Sequence, residues 1–312
     1  MEGAPDEATR VAAAASGTAY AVVVPAPAPG PGSWAGAPSA ALDDDGGFVV
    51  AYRVRTPESR GSATVVGLAP DGERLTPVVR LEKERFGAES LERPALVRTE
   101  AGQWRLYVSC ATPGSKHWRI DVLEAGDPAG LQSAEPRTAF AGDTQTGVKD
   151  PVVRRTAREW QAWVCCHPLD VAGEEDRMVT RYATSEDGLT WRWRGVALRG
   201  RAGSWDARGA RVTAVLPDGS ATYDGRASTA ENFSERTGTA VPGAAPGELL
   251  AVGDAPVSEV RYLAVVPLPD LSAGSGPSAP TGRYRLFYEA PLADGSHELR
   301  TRLVTEALPA RG

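Results

Sequence analysis

Cysteine, methionine and histidine are scarce in this chain: three, two and three residues in 312. Each scarcity closes a class of function. Cys110, Cys165 and Cys166 are too few for a disulfide framework, and the last two lie in an apolar run, WQAWVCC, so they read as small core hydrophobes. His117, His167 and His297 are scattered and lack carboxylates at the spacing zinc uses, so no metal site is expected. Positive charge is also short: 34 Lys and Arg against 40 Asp and Glu give a net charge of −6 and a pI near 5.3. Without a basic excess, nucleic acid is not an expected partner. No stretch approaches the roughly 20 apolar residues of a membrane span. The first residues, MEGAPDEATR, are acidic where a secretory signal is basic, so a cytoplasmic location without membrane association is expected. Helical periodicity is missing too, apart from a short stretch near Ala125.

What the chain has instead is repetition. A short strand, a polar turn and a second strand rich in β-branched and aromatic residues recur five times. Pro38, Pro94 and Pro151 mark the same point of the first three units, in steps of 56 and 57 residues (38 to 94, 94 to 151), and looser copies begin at Ala210 and Arg261. The second strands are FVVAYRVR, WRLYVSC, WQAWVCC, SATYDGR and YRLFYEA. Turns such as DDDGG, TEAGQ and LPDGS precede them; a long Ser, Gly and Pro loop, residues 267 to 282, precedes the fifth. A β-unit recurring at such a period cannot bury both faces of its sheet until neighbours stack on it, which is the signature of a propeller. The expected fold is all-β: a five-bladed β-propeller of four-stranded antiparallel sheets, forming one domain over 1–312, with blades starting near 34, 90, 147, 205 and 258. The proline-rich segment 25–33, PAPAPGPGS, detaches the strand 18–24, which is placed to complete the last blade.

In a propeller the innermost strands converge on one axial cavity. Residues at or before their starts are therefore candidates to meet there: Gly36 and Ala37; Glu92 and Arg93; Lys149 and Asp150; Trp205, Asp206 and Arg208; Glu259 and Arg261. Paired carboxylates in such a cleft suit glycosyl transfer, one donating a proton while the other activates water or attacks the sugar. Arginines suit phosphate or carboxylate groups.

Three local patterns, Lys149-Asp150-Pro151, the SEDGLTW segment at 185–191 and Gly36-Ala37-Pro38, together with the repeat, resemble the five-bladed propeller glycosidase superfamily. That group includes glycoside hydrolase families 43 and 32 and the mannoside phosphorylases of family 130. The resemblance implies three inner-strand carboxylates and a sugar-containing substrate. Asp150 matches the supporting aspartate by motif, but Ala37 stands where the first-blade aspartate precedes proline, and Asp43, Asp44 and Asp45 lie in the turn at the far end of that strand. The expected catalytic carboxylates are Asp150, Asp206 and Glu92. The expected substrate contacts are Arg53, Arg55, Arg93, Lys149, Trp205, Arg208, Asp224, Arg226, Glu289 and His297, with Asn232 and Glu235 on a polar loop over the mouth. Asp224 and Glu289 lie inside apolar strands, where an ion pair with Arg226 or Arg285 is an equal reading. Ala37 turns the expectation toward phosphorolysis or another variant chemistry, and equally toward a carbohydrate- or partner-binding propeller without catalysis. No cofactor is expected; a structural Ca2+ in the axial channel stays open.

Overall fold

The computed structural model describes residues 6–269 and 282–305. A helix, α1 (Glu7–Ala15), and a short strand, β1 (Ala21–Val24), precede the first blade. That blade is β2 (Trp34–Leu42), β3 (Phe48–Arg55), β4 (Ala63–Ala69) and β5 (Thr76–Glu82). The second is β6 (Leu91–Arg98), β7 (Trp104–Ala111), β8 (Trp118–Ala125) and β9 (Arg137–Phe140). The third is β10 (Thr146–Arg155), β11 (Trp160–Pro168), β12 (Val179–Ser185) and β13 (Arg192–Arg199). The fourth is β14 (Gly209–Val215), β15 (Ala221–Arg226), β16 (Arg236–Pro242) and β17 (Leu249–Val252). The fifth is β18 (Arg261–Pro267), β19 (Tyr284–Pro291) and β20 (His297–Val304), and β1 pairs antiparallel with β20 as its fourth strand.

The first strands of the five sheets touch one another in turn, and β18 touches β2, closing the ring. A single parallel bridge, Trp34 to His297, joins the first and fifth blades. The closed ring explains why the strands read as almost continuous apolar runs: each sheet buries both faces, and the core is five separate clusters, one between each pair of neighbouring blades. Val49, Leu81, Leu106 and Leu123 fill the first interface; Trp160, Val164, Ile120 and Phe140 the second.

The interface between the fourth and fifth blades is built differently. The fourth blade buries Thr213, Thr222, Asp224, Thr237 and Thr239 and brings only Ala214 and Leu216 to the shared apolar cluster. Ala8, Val11, Ala12 and Ala15 of α1 supply the missing apolar surface. Asp6 caps that helix, accepting from the Thr9 backbone N–H at 2.9 Å. No helix was expected here. The stretch near Ala125 holds only a single 3-10 turn, Ala129–Gln132. Most of the long fifth-unit loop, 270–281, lies outside the described residues.

Candidate functional site: the axial cavity

Every innermost strand carries a β-bulge. The ladder slips after Gly36, Glu92, Lys149, Val212 and Arg261. At three bulges a residue with a Cβ adopts left-handed backbone: Ala37, Asp150 and Tyr262, at φ 51°, 50° and 52°. Each such conformation costs on the order of 1–2 kcal/mol and persists only where surroundings impose it.

The register around the bulges selects which side chains meet. Gly36 pairs with Arg53, Glu92 with Ser109, Lys149 with Cys165, Arg211 with Asp224 and Arg261 with Glu289. Arg53, Glu92, Lys149, Arg211 and Arg261 line one cavity of about 380 Å³, together with Arg60, Lys116, Trp118, His167, Arg226, Phe233, Glu235 and Tyr262. A second cavity of about 600 Å³ adjoins it, sharing Phe233, Glu235 and Arg261 and adding Trp34, Arg55, Glu259 and His297.

Buried arginines cross-link the wall. Arg53 bridges Glu92 and Glu289, holding the latter at 2.8 Å. Arg261 bridges Glu289 at 2.8 Å and Glu235 at 2.7 Å. Arg226 holds Glu235 at 2.5 Å and Asn232 at 2.9 Å. Arg211 reaches Asp150 at 3.0 Å and Asp224 at 2.7 Å, and donates to the Tyr262 hydroxyl at 2.9 Å. His297 Nδ1 lies 2.7 Å from Glu289. Gly36 is required by this packing, because a Cβ there would lie 2.2 Å from Glu289 Oε2.

Burial alone would push these carboxylates up, but the arginines outweigh it. Arg53, with Lys149 and Arg55, pulls Glu92 down to about 2. Arg261, Arg211 and Arg226 do the same to Glu235, also to about 2, and Arg261, Arg53 and His297 hold Glu289 lower still. Asp224 is the exception: burial raises it despite Arg211. Burial also pushes the Tyr262 phenol far above its usual value, so it stays protonated. His167 donates from Nδ1 to the Glu175 carbonyl at 2.7 Å, and burial with Lys149 lowers it to about 3, leaving a neutral ring.

The expected site residues divide accordingly. Arg53, Glu92, Lys149 and Arg226 line the axial cavity. Asp150, Asp224 and Glu289 are completely buried directly behind it. Asp224 pairs with Arg211 rather than Arg226, and Glu289 with Arg53 and Arg261 rather than Arg285, which goes to Glu73. Arg93 lies deeper, crossing from the second blade to the carbonyls of Pro38 at 3.2 Å and Thr213 at 2.7 Å. Arg55 and His297 line the adjoining cavity, Arg55 stacked on Trp34 and Phe233. Asn232 and Glu235 are among the residues lining the axial cavity.

Trp205, Asp206 and Arg208 are not among the residues lining either cavity. Asp206 is buried against the Tyr223 hydroxyl at 2.8 Å and Arg201 at 3.0 Å, Trp205 stacks on Tyr223, and Arg208 pairs with Asp176 at 2.6 Å. In the fourth blade the bulge falls later, so the residue that meets the axis is Arg211, which was missed along with Tyr262. The pairing of Arg211 with Asp224 in register with Arg261 and Glu289 is the signal that finds it.

The sequence matches no family profile, and no curated protein matches it. The structure, however, is similar to several solved structures. One is the β-1,2-mannobiose phosphorylase from Listeria innocua in complex with β-1,2-mannobiose, at 12% identity over 92% of this chain and 91% of that one, TM-score 0.59. Another is an N-acetylgalactosamine deacetylase from F. plautii in complex with blood group B trisaccharide, at 12% identity over 92% and 95%, TM-score 0.62. A third is the sucrose-6-phosphate hydrolase from Lactobacillus gasseri, at 9% identity and TM-score 0.63, with 95% of this chain covering 63% of that one. The fold is therefore that of the propeller glycosidases. Among the described residues no helix is long and apolar enough to cross a membrane, and no group of three metal-ligating side chains occurs.

Proposed function

We propose that this protein is a glycosidase-like enzyme acting on a sugar-containing small molecule in the axial cavity. The observation that carries the reading is the convergence of residues from all five blades on one cleft, from the inner strands of four and from the second strand of the first, with Glu92 and Glu235 at its wall and Asp150 behind. The likeness to carbohydrate-active propellers supports it.

The chemistry follows from charge. Glycosyl transfer needs an oxygen that bonds to the anomeric carbon as the glycosidic bond breaks, and a proton for the leaving oxygen. Glu92 and Glu235 are held ionised, so they stabilise developing positive charge on the sugar rather than donate protons. Tyr262 is a protonated group at the wall; its hydroxyl accepts from Arg211 and has no acceptor for its own hydrogen among the described residues. Attack by phosphate rather than water needs no protein base, which fits a site without a carboxylate at Ala37.

A non-catalytic carbohydrate-binding role is the second reading, favoured by Ala37 and by the ionised state of Glu92 and Glu235. Product release from a panel of aryl glycosides and disaccharides, with and without inorganic phosphate, separates the two. Turnover lost in Glu92→Gln with retained fold supports the enzyme; sugar binding without turnover in any condition supports the second reading.

A further inference from the structure

The cations of the axial cavity fall into two groups. Arg53, Arg211, Arg226 and Arg261 are each committed to at least two carboxylates. Arg60, Lys116 and Lys149 are not. Among the described residues neither Arg60 nor Lys116 has a carboxylate within ion-pair distance, although both line the cavity. Lys149 has, among the described residues, one carboxylate within ion-pair distance, Asp150 at 3.8 Å, which Arg211 already holds at 3.0 Å, and it acts on Glu92 from further away. The three come from different blades: Arg60 from the β3–β4 connection, Lys116 from the β7–β8 connection and Lys149 from β10. Their convergence is therefore made by the closed ring.

The acids nearest them have closer partners. Glu92 is taken by Arg53, and Asp176 by Arg208 and Arg226. Glu175 is engaged with backbone N–H groups and feels Lys116 only at longer range. Arg60 and Lys116 are exposed to solvent and Lys149 is half-buried, so the three present their charge to whatever enters the cavity. Beside the cations stand groups suited to a sugar ring: the Trp118 indole, over which Lys149 sits at 4.9 Å, the neutral acceptor His167 and the Tyr262 hydroxyl.

We propose that the ligand is an anionic sugar whose phosphate or carboxylate group is held by Arg60, Lys116 and Lys149. The inference rests on the carbohydrate reading and deepens it. The same oxyanion chemistry has a second source, free inorganic phosphate, which the experiment distinguishes.

Calorimetric titrations of the full chain compare four hexoses with their 6-phosphates, glucuronate and inorganic phosphate, in wild type and in an Arg60→Ala, Lys116→Ala double variant. One hexose phosphate or glucuronate is expected to bind at least about tenfold more tightly than the neutral sugar, the value of one charge-assisted contact. The double variant is expected to narrow that gap to under about threefold. Equal affinity for charged and neutral sugars, or a gap unchanged in the variant, overturns the inference and leaves the carbohydrate reading standing. Inorganic phosphate binding as tightly as any sugar phosphate overturns the inference, because the three cations then hold free phosphate rather than an anionic sugar. Absence of binding by every probe overturns both.

Discussion

Replacing Arg53 by methionine exposes the energetics of the axial network. Arg53 is 1% exposed, and its guanidinium is divided between Glu92 and Glu289. Methionine keeps an apolar stem beside Trp34 and Tyr262 while removing the charge. Glu289 retains Arg261 at 2.8 Å and His297 at 2.7 Å. Glu92 retains only the more distant attraction of Lys149 and Arg55, so the cost falls on it. Breaking a buried pair from one side costs about 3–5 kcal/mol, chiefly because the other charge is left uncompensated. Urea unfolding followed by tryptophan fluorescence at pH 7 is expected to show a loss on the order of 4 kcal/mol. In the wild type Glu92 lies below its unfolded value, so its contribution is present above about 4.5 and fades as pH falls toward 2. In the variant burial dominates and Glu92 moves above its unfolded value, so stability is lost as pH rises, and the loss measured at pH 5 is smaller than at pH 7. Putting Glu92→Gln in the same chain removes the stranded charge and is expected to restore half or more of the loss. A loss under about 1 kcal/mol, or one that is the same with and without the Glu92→Gln substitution, refutes the reasoning.

Four further outcomes follow from the same geometry. Gly36→Ala forces Glu289 off its arginines and is expected to cost about 2–3 kcal/mol in the same assay; a neutral result contradicts the close approach. Because Glu92 and Glu235 sit at about 2 in the folded state, acid unfolding monitored by circular dichroism is expected between roughly pH 4.5 and 2, and a fold fully stable at pH 2 counts against the network. Glu7, buried near Asp218 at the start of α1, has its carboxyl pushed up by burial and by that neighbour, so its contribution is lost as pH rises. Melting-point differences between Glu7→Gln and wild type should therefore open in the variant's favour from pH 4 to pH 7, and a constant difference refutes the contact. Asp206→Asn weakens a buried ion pair away from the cavity, so it is expected to lower the melting temperature while leaving sugar affinity within about twofold; a tenfold loss of affinity would return Asp206 to the site.

The five-blade plan was readable because a propeller repeats one energetic problem, and the prolines at 38, 94 and 151 mark three of its five solutions at the same bulge. The pairing of β1 with β20 was readable for a similar reason: the proline-rich segment cannot join a sheet, so the strand before it had to pair elsewhere. The helix α1 was hidden, because its value lies in covering a threonine-rich blade face that becomes visible only after the sheets are assembled. At the site, Glu92 and Lys149 were found because their blades follow the proline rule. Arg211 was missed because the fourth blade has no proline and its bulge comes one residue later in the ladder, at Val212 to Ala214. Counting back from the strand start led instead to Trp205 and Asp206, which belong to the interior of that blade's own packing. Arg261 was placed by position, but nothing in the sequence singled out its neighbour Tyr262, which takes left-handed backbone at the bulge and lines the cavity.

A crystal structure with a bound sugar, taken from whichever glycoside or sugar phosphate of the panels binds tightest, tests the axial assignment most directly. The ring is expected inside the five-blade cavity, within hydrogen-bond reach of Glu92 and Tyr262, with any anionic group turned toward Lys149, Lys116 and Arg60. A sugar bound on an outer blade face, with the axial cavity filled only by ordered water, would contradict it.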